Sequence, residues 1–186
     1  MKILRNYNLE QLPCVITIGN FDGVHLGHQA LLTEVKRRAY DLRVESAVMT
    51  FEPNPKDYFS DDKPQTSISS LREKIERFNE FKIDRVHIIK FNQEFSKVTA
   101  NKFINILIQK LKVKEIVIGE DFCFGSGREG GVKQLSASSM NLNIQNKILI
   151  GDTRISSTSI RKLLANDDLE EVKKFMGRPY SISGKV

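Results

Sequence analysis

The sequence is poor in cysteine, with only Cys14 and Cys123 in 186 residues. Two thiols cannot build a disulfide framework or a cysteine metal cluster. Both read as reduced thiols of a cytoplasmic protein. Long apolar runs are missing too. Ile104–Ile108 and Ile148–Ile150 are far too short to cross a bilayer, and the polar stretch from Met1 to Glu10 carries no signal-peptide core. There is no 20–50-residue repeat and no low-complexity segment. The net charge is +6, which suits an anionic partner, yet no block of five or six like charges occurs. A nucleic-acid tail is therefore disfavoured, no membrane partner is expected, and a phosphorylated small molecule remains.

What is present suits one domain with at most a small appendage. Hydrophobic content of 40% and charged content of 28% are ordinary for a globular protein. Short apolar runs alternate with amphipathic ones. Cys14–Ile18, Glu45–Phe51, Arg85–Phe91, Glu115–Gly119 and Asn146–Ile150 read as strands, most of them continuous and apolar, as in a parallel sheet covered on both faces. Helical patterns fill His28–Ala39, Ile68–Phe81 and Thr99–Lys110. The last carries Phe103, Ile104, Leu107, Ile108 and Leu111 on one stripe. Two short helices follow, Thr158–Ala165 and Asp168–Met176, the second with a capping-box pattern at Asp167 and Glu170. The alternation predicts an α/β fold, a Rossmann-like, open, mainly parallel sheet with helices on both faces. Residues 177–186 look like the start of a further strand.

Ligands of such sheets gather at the carboxyl ends of strands, near the point where strand order reverses. Residues 19–27, 52–64 and 120–131 all fall at such ends. In the first, Gly19-Asn20-Phe21-Asp22-Gly23-Val24-His25-Leu26-Gly27-His28 runs from a strand through a glycine-rich turn into a helix. Free backbone N–H groups and a helix dipole there favour an anion. His25 and His28 are three apart, so both rings can address one phosphate, and Gly27 lets a ligand approach the backbone. A structural turn with two surface histidines is the competing reading. Zinc lacks a third nearby ligand.

A second hydroxyl-rich cluster, Ser156-Ser157-Thr158 with Arg161, opens a late helix. It reads either as an ordinary cap or as an anion cradle in which Arg161 supplies a fork of donors for phosphate oxygens. After the second strand come Phe51, Pro53, Asn54 and Phe59, a proline-stiffened loop with apolar walls. After the fourth come Asp121, Phe122, Phe124 and Arg128 in a glycine-rich stretch. It is expected to be flexible, with phenylalanines that either flank a flat ring or anchor the loop to the core.

Together these strings resemble the bacterial FAD synthetases, the FMN adenylyltransferase half of the bifunctional riboflavin kinase/FMN adenylyltransferases, within the HxGH nucleotidylyltransferase superfamily. The resemblance implies the reaction ATP + FMN → FAD + pyrophosphate. By resemblance, His25, His28 and Arg161 are catalytic, and Gly19, Asn20, Phe21, Asp22, Gly27, Ser156, Ser157 and Thr158 handle ATP and its phosphates. Phe51, Pro53, Asn54, Phe59, Asp121, Phe122, Phe124 and Arg128 are implied at the flavin. Asn54 stands where the family often has histidine, so no proton transfer is placed there. Asp22 either orients His25 or binds ribose. Mg²⁺ is implied as a bridge between ATP phosphates, with no metal held by the protein itself.

Residues 1–176 are expected to form the adenylyltransferase domain. Residues 177–186 resemble the first residues of a riboflavin kinase domain, whose later PTAN segment is absent from the 186 residues. Riboflavin kinase activity is thus not expected of the chain, and fusion to such a domain in a full-length protein is left open by the resemblance. Two other readings stay open. One is an HxGH transferase with a different phosphorylated acceptor, and the other a non-catalytic nucleotide-binding module.

Overall fold

The computed structural model describes residues 1–5, 7, 11–60 and 66–183. Six strands form one sheet: β1 (Lys2–Leu4), β2 (Cys14–Ile18), β3 (Glu45–Glu52), β4 (Arg85–Lys90), β5 (Val113–Gly119) and β6 (Asn141–Gln145). Their spatial order is β1-β4-β3-β2-β5-β6, and every neighbouring pair is parallel. The chain steps outward from β2 through β3 to β4, then returns to the other side of β2 with β5. The switch point therefore lies at the carboxyl ends of β2 and β5, where a parallel sheet leaves a crevice.

The central strands are apolar at successive positions because both faces are covered. Cys14, Ile16, Ile18, Ala47, Met49, Ile116 and Ile118 face a cluster with Phe103, Leu107, Leu111 and Leu135. Val48, Val86 and Ile88 face the opposite way, against Leu32, Phe78 and Ile83, as Val15 and Val117 do against Val35 and Ala39. The long helix α1 (Leu26–Leu42) packs over β2, β3 and β5. It ends at Arg43 in the left-handed region, with φ 54°. After the one-turn α2 (Pro55–Tyr58), α3 (Leu71–Glu80) starts in a true capping box between Ser70 and Glu73, which satisfies two orphan backbone donors at once. On the other face lie α4 (Gln93–Ser96), α5 (Ala100–Asn105) with a π-helical turn at Ile106–Lys110, and α6 (Val132–Ser136). A hairpin of β7 (Leu149–Ile150) and β8 (Thr153–Arg154) precedes α7 (Ser157–Ala165) and α8 (Leu169–Met176).

Four expectations change. The edge strand beside β5 is Asn141–Gln145 rather than Asn146–Ile150. Its alternating polar residues suit a half-covered edge, whereas Ile148 and Ile150 pack with Ile155, Ile160 and Phe175 beneath α7 and α8. Lys2–Leu4 adds a strand to the opposite edge. The cap of α8 is Asp168, which accepts from the Glu171 N–H, while Asp167 sits at φ 56°. Residues 177–183 form no strand. The segment instead folds back, with Arg178 donating to the carbonyls of Gly23 (2.7 Å) and Val24 (3.1 Å). The last three residues of the expected strand, 184–186, lie outside the described residues, as does the end of the 52–64 loop. Among the described residues no helix is long and apolar enough to cross a membrane.

Candidate functional site

The turn between β2 and α1 is fixed by its own chemistry. Phe21, Gly23 and Val24 have φ of 50°, 80° and 39°, a run of left-handed residues that costs strain unless contacts over-determine it. Those contacts centre on Asp22. Its buried carboxylate accepts from the N–H groups of Ile68 (3.0 Å) and Ser69 (3.1 Å) and pairs with the Arg161 guanidinium. The Asp22 carbonyl accepts from the Ser157 hydroxyl at 2.9 Å. Gly23 N–H donates to Ser69 Oγ at 2.9 Å. Asp22 thus ties the turn to α3 and α7. Phe21 is fully buried, its ring 5.3 Å from Phe78 and 5.1 Å from His28, so it packs beneath the turn.

His25 is the N-cap of α1, its Nδ1 accepting from the His28 N–H at 3.3 Å. That acceptor role leaves the proton of the neutral ring on Nε2. The two imidazoles stack with centroids 3.7 Å apart and planes 17° from parallel. Burial, then the charges of Arg154 and Arg178, lower the His25 pKa to about 4. Burial, then His25 and Lys74, hold His28 well below the ordinary 6.5. Both rings are thus neutral hydrogen-bonding groups at neutral pH. His28 Nδ1 is buried with no hydrogen-bond partner among the described residues, which is costly in a finished core and ordinary in a site awaiting a ligand. A Cβ at Gly27 would stand 3.1–3.2 Å from the His25 ring, so any side chain there would crowd the imidazole.

The N-terminus of α7 abuts this pair, with Ile155 O 3.8 Å from the same Cβ position. Ser156 caps the helix, accepting from Ser159 N–H at 3.1 Å. Thr158 is exposed, and its hydroxyl makes no hydrogen bond among the described residues. Arg161 donates from Nε to Thr66 O at 2.8 Å and from Nη2 to Asp22, which leaves Nη1 unpartnered among the described residues. The fold therefore brings the histidine turn and residues 156–161 together, with Ser156 and Ser157 engaged in shaping the turn.

At the end of β2 opens a cavity of about 980 Å³, lined there by Ile18, Gly19 and Asn20; neither histidine nor the hydroxyl cluster at 156–158 lines it. Phe51, Phe59, Asp121, Phe122, Phe124 and Arg128 all reach it. Pro53 and Asn54 do not. Pro53 is exposed, and Asn54 caps α2 by accepting from Lys56 N–H at 3.0 Å. Phe91 and Phe95, which sequence reasoning missed, complete the aromatic wall. The Phe91 ring lies 5.7 Å from Phe59 and 5.8 Å from Phe95. Their signal was present, since Phe91 directly follows β4 and Phe95 lies just beyond, in α4, at the same carboxyl end. A shallower concavity of about 510 Å³, between Tyr40, Arg43 and Asp84, is remote from the histidines.

The glycine-rich stretch is not a free flap. Phe124 and Gly130 exchange backbone hydrogen bonds of 3.1 and 2.9 Å, and Ser126 N–H donates to Val98 O at 2.8 Å. Gly125, at φ 77°, approaches α5 so closely that a Cβ would lie 2.7 Å from Ala100 N. Phe124 is a core residue, its ring 5.4 Å from Phe103, and Phe122 stacks outside it at 5.6 Å. Asp121 pairs with Arg154 and, at 3.3 Å, with Lys147, which closes one rim of the cavity.

A model of the FAD synthetase family matches residues 8–159, a span that holds both histidines, the cavity and the hydroxyl cluster. The chain belongs to the FAD synthetase family. It is 40% identical over 195 residues to the bifunctional riboflavin kinase/FMN adenylyltransferase of Escherichia coli K12, covering 100% of this chain and 62% of that one. The counterpart in Haemophilus influenzae is 40% identical over 188 residues, 98% of this chain and 61% of that one. The chain thus spans less than two thirds of the length of these relatives. Among solved structures, a macrolide-efflux protein from Streptococcus pneumoniae superposes with TM-score 0.87 at 24% identity, over 97% of this chain and 61% of that one. Pantothenate synthetase from Thermus thermophilus gives 0.60 at 13%, over 94% and 71%. Both likenesses establish the fold alone, that of a parallel α/β sheet.

Proposed function

We propose that this FAD synthetase family member transfers the adenylyl group of ATP to FMN, giving FAD and pyrophosphate. The observation that carries the reading is the junction of two parts at one switch point. A pair of neutral stacked imidazoles adjoins the α7 N-terminus, and a phenylalanine-lined cavity opens at Gly19 and Asn20, on the segment that leads into the histidine turn. The first suits a phosphate chain and the second a flat, largely apolar ring.

In this reading the FMN phosphate oxygen attacks the α-phosphorus in line, and pyrophosphate leaves. A phosphate monoester has its second pKa near 6 and is already anionic, so no strong base is required. The protein positions the reactants and stabilises charge. His25 presents its Nε2–H donor to the α-phosphate, and His28 lines the same position. Thr158, the free N–H groups of α7 and Nη1 of Arg161 receive the departing pyrophosphate. Gly19 and Asn20 border the nucleotide, and Phe122, Phe51, Phe91 and Phe95 flank the flavin. Mg²⁺ accompanying ATP would be held by the nucleotide's phosphate oxygens and water, and would supply neutralisation of the phosphate charge. We place the reaction in the cytoplasm, where the free thiols Cys14 and Cys123 stay reduced.

The test is competition among acceptors. With ATP and Mg²⁺, FMN should be adenylylated in preference to phosphopantetheine and nicotinamide mononucleotide, with FAD and pyrophosphate in equal amounts. Faster adenylylation of another acceptor overturns the flavin assignment.

A further inference from the structure

Lys74 lies on the first turn of α3 and is 4% exposed. It makes no side-chain hydrogen bond or ion pair among the described residues. Its aliphatic stem is covered while its ammonium has no acceptor among the described residues, an arrangement that suits a cation held for an anionic ligand. The other cations near the histidines are engaged. Arg161 pairs with Asp22, Arg154 with Asp121, and Arg178 with backbone carbonyls. Lys74 alone of the four has no acceptor.

Its position follows from the packing. Lys74 and Phe78 are four apart and share the buried face of α3. Phe78 contacts Phe21, and Phe21 contacts His28. Ser69, just before the helix, is bonded to both Asp22 and Gly23. The start of α3 is thereby pinned to the turn that carries the histidine pair, and the Lys74 charge acts on the His28 ring.

We propose that Lys74 is a phosphate-binding residue of this site, its ammonium pairing with a non-bridging oxygen of the ATP phosphates beside His28. The proposal rests on the adenylyl-transfer reading for its reaction, and on the chain's own geometry for its ligand. The charge that α3 holds without a partner becomes paired when the nucleotide enters.

The test compares Lys74→Met, neutral and of similar length, with Lys74→Arg. Affinities for ATP, pyrophosphate and adenosine are measured by calorimetry, alongside thermal unfolding and FAD formation. Lys74→Met is expected to fold with undiminished thermal stability and to bind ATP and pyrophosphate roughly 10- to 100-fold more weakly, the factor for a lost charge-assisted contact. Adenosine affinity should not change, and Lys74→Arg should recover most of the loss. Native ATP and pyrophosphate affinity in Lys74→Met overturns the proposal, as does equal weakening of adenosine and ATP with a lowered melting temperature. If FMN proves not to be the acceptor, the binding comparison still decides for or against Lys74.

Discussion

His25 Nδ1 accepts a hydrogen bond from the His28 backbone N–H while the two rings stack 3.7 Å apart. One residue thus caps α1, fixes its own tautomer and aligns its partner. Replacing His28 by alanine should slow adenylyl transfer by about 10²–10⁴, the range for losing a stabilising contact to a transition-state charge. Single-turnover kinetics on the folded variant checks this, and turnover near the native rate would contradict the assignment.

Stability should depend on pH in a window set by the same pair. His25 titrates at about 4 in the fold and near 6.5 unfolded, and His28 is displaced the same way. Above pH 6.5 neither state holds the extra proton, so stability is level. Below it the unfolded chain takes up protons that the fold refuses, and stability falls by up to about 1.4 kcal/mol per pH unit for each histidine. Urea titrations should show a loss of roughly 2 kcal/mol or more between pH 6.5 and 5. His25→Asn, which retains a capping oxygen, should remove about one proton's share. A flat profile across that interval would mean the rings are not held neutral by burial.

The path from residues to this site was partly legible in advance. Continuous apolar strands and the glycine-rich turn after β2 announced a parallel sheet with a histidine-bearing turn at its carboxyl edge. The polar alternation of Asn141–Gln145 hid an edge strand, because a half-exposed strand lacks the apolar run that betrays a central one. Long-range contacts were also illegible. Nothing in the spacing of Asp22, Ile68 and Arg161 announces that they meet, and Lys74 carries no motif at all.

Arg161→Ala should act in two ways. It leaves the buried Asp22 carboxylate without its cation, which should cost about 3 kcal/mol of stability. It should also weaken ATP binding more than FMN binding. Lysine should restore only part of both, since a point charge cannot span Asp22, Thr66 O and a phosphate together. Denaturation midpoints and separate titrations of ATP and FMN test this, and a selective collapse of FMN affinity would place Arg161 in the wrong half of the site.

Phe122 and Phe124 should separate. Phe124 packs on Phe103 inside the core, so Phe124→Ala should destabilise by about 3 kcal/mol or more. Phe122 faces the cavity and is only partly buried. Its removal should weaken FMN binding about tenfold, equivalent to 1.4 kcal/mol, with ATP affinity and melting temperature nearly unchanged. Identical effects of the two substitutions would show that both serve only to anchor the loop.

The most direct measurement follows the phosphorus atoms. The chain is incubated with FMN, Mg²⁺ and ATP radiolabelled at either the α- or the γ-phosphorus, and the products are separated. Adenylyl transfer places the α-label wholly in a flavin dinucleotide and the γ-label wholly in pyrophosphate, in equal amounts. An α-label that never reaches the flavin, or a γ-label that does, would contradict the account.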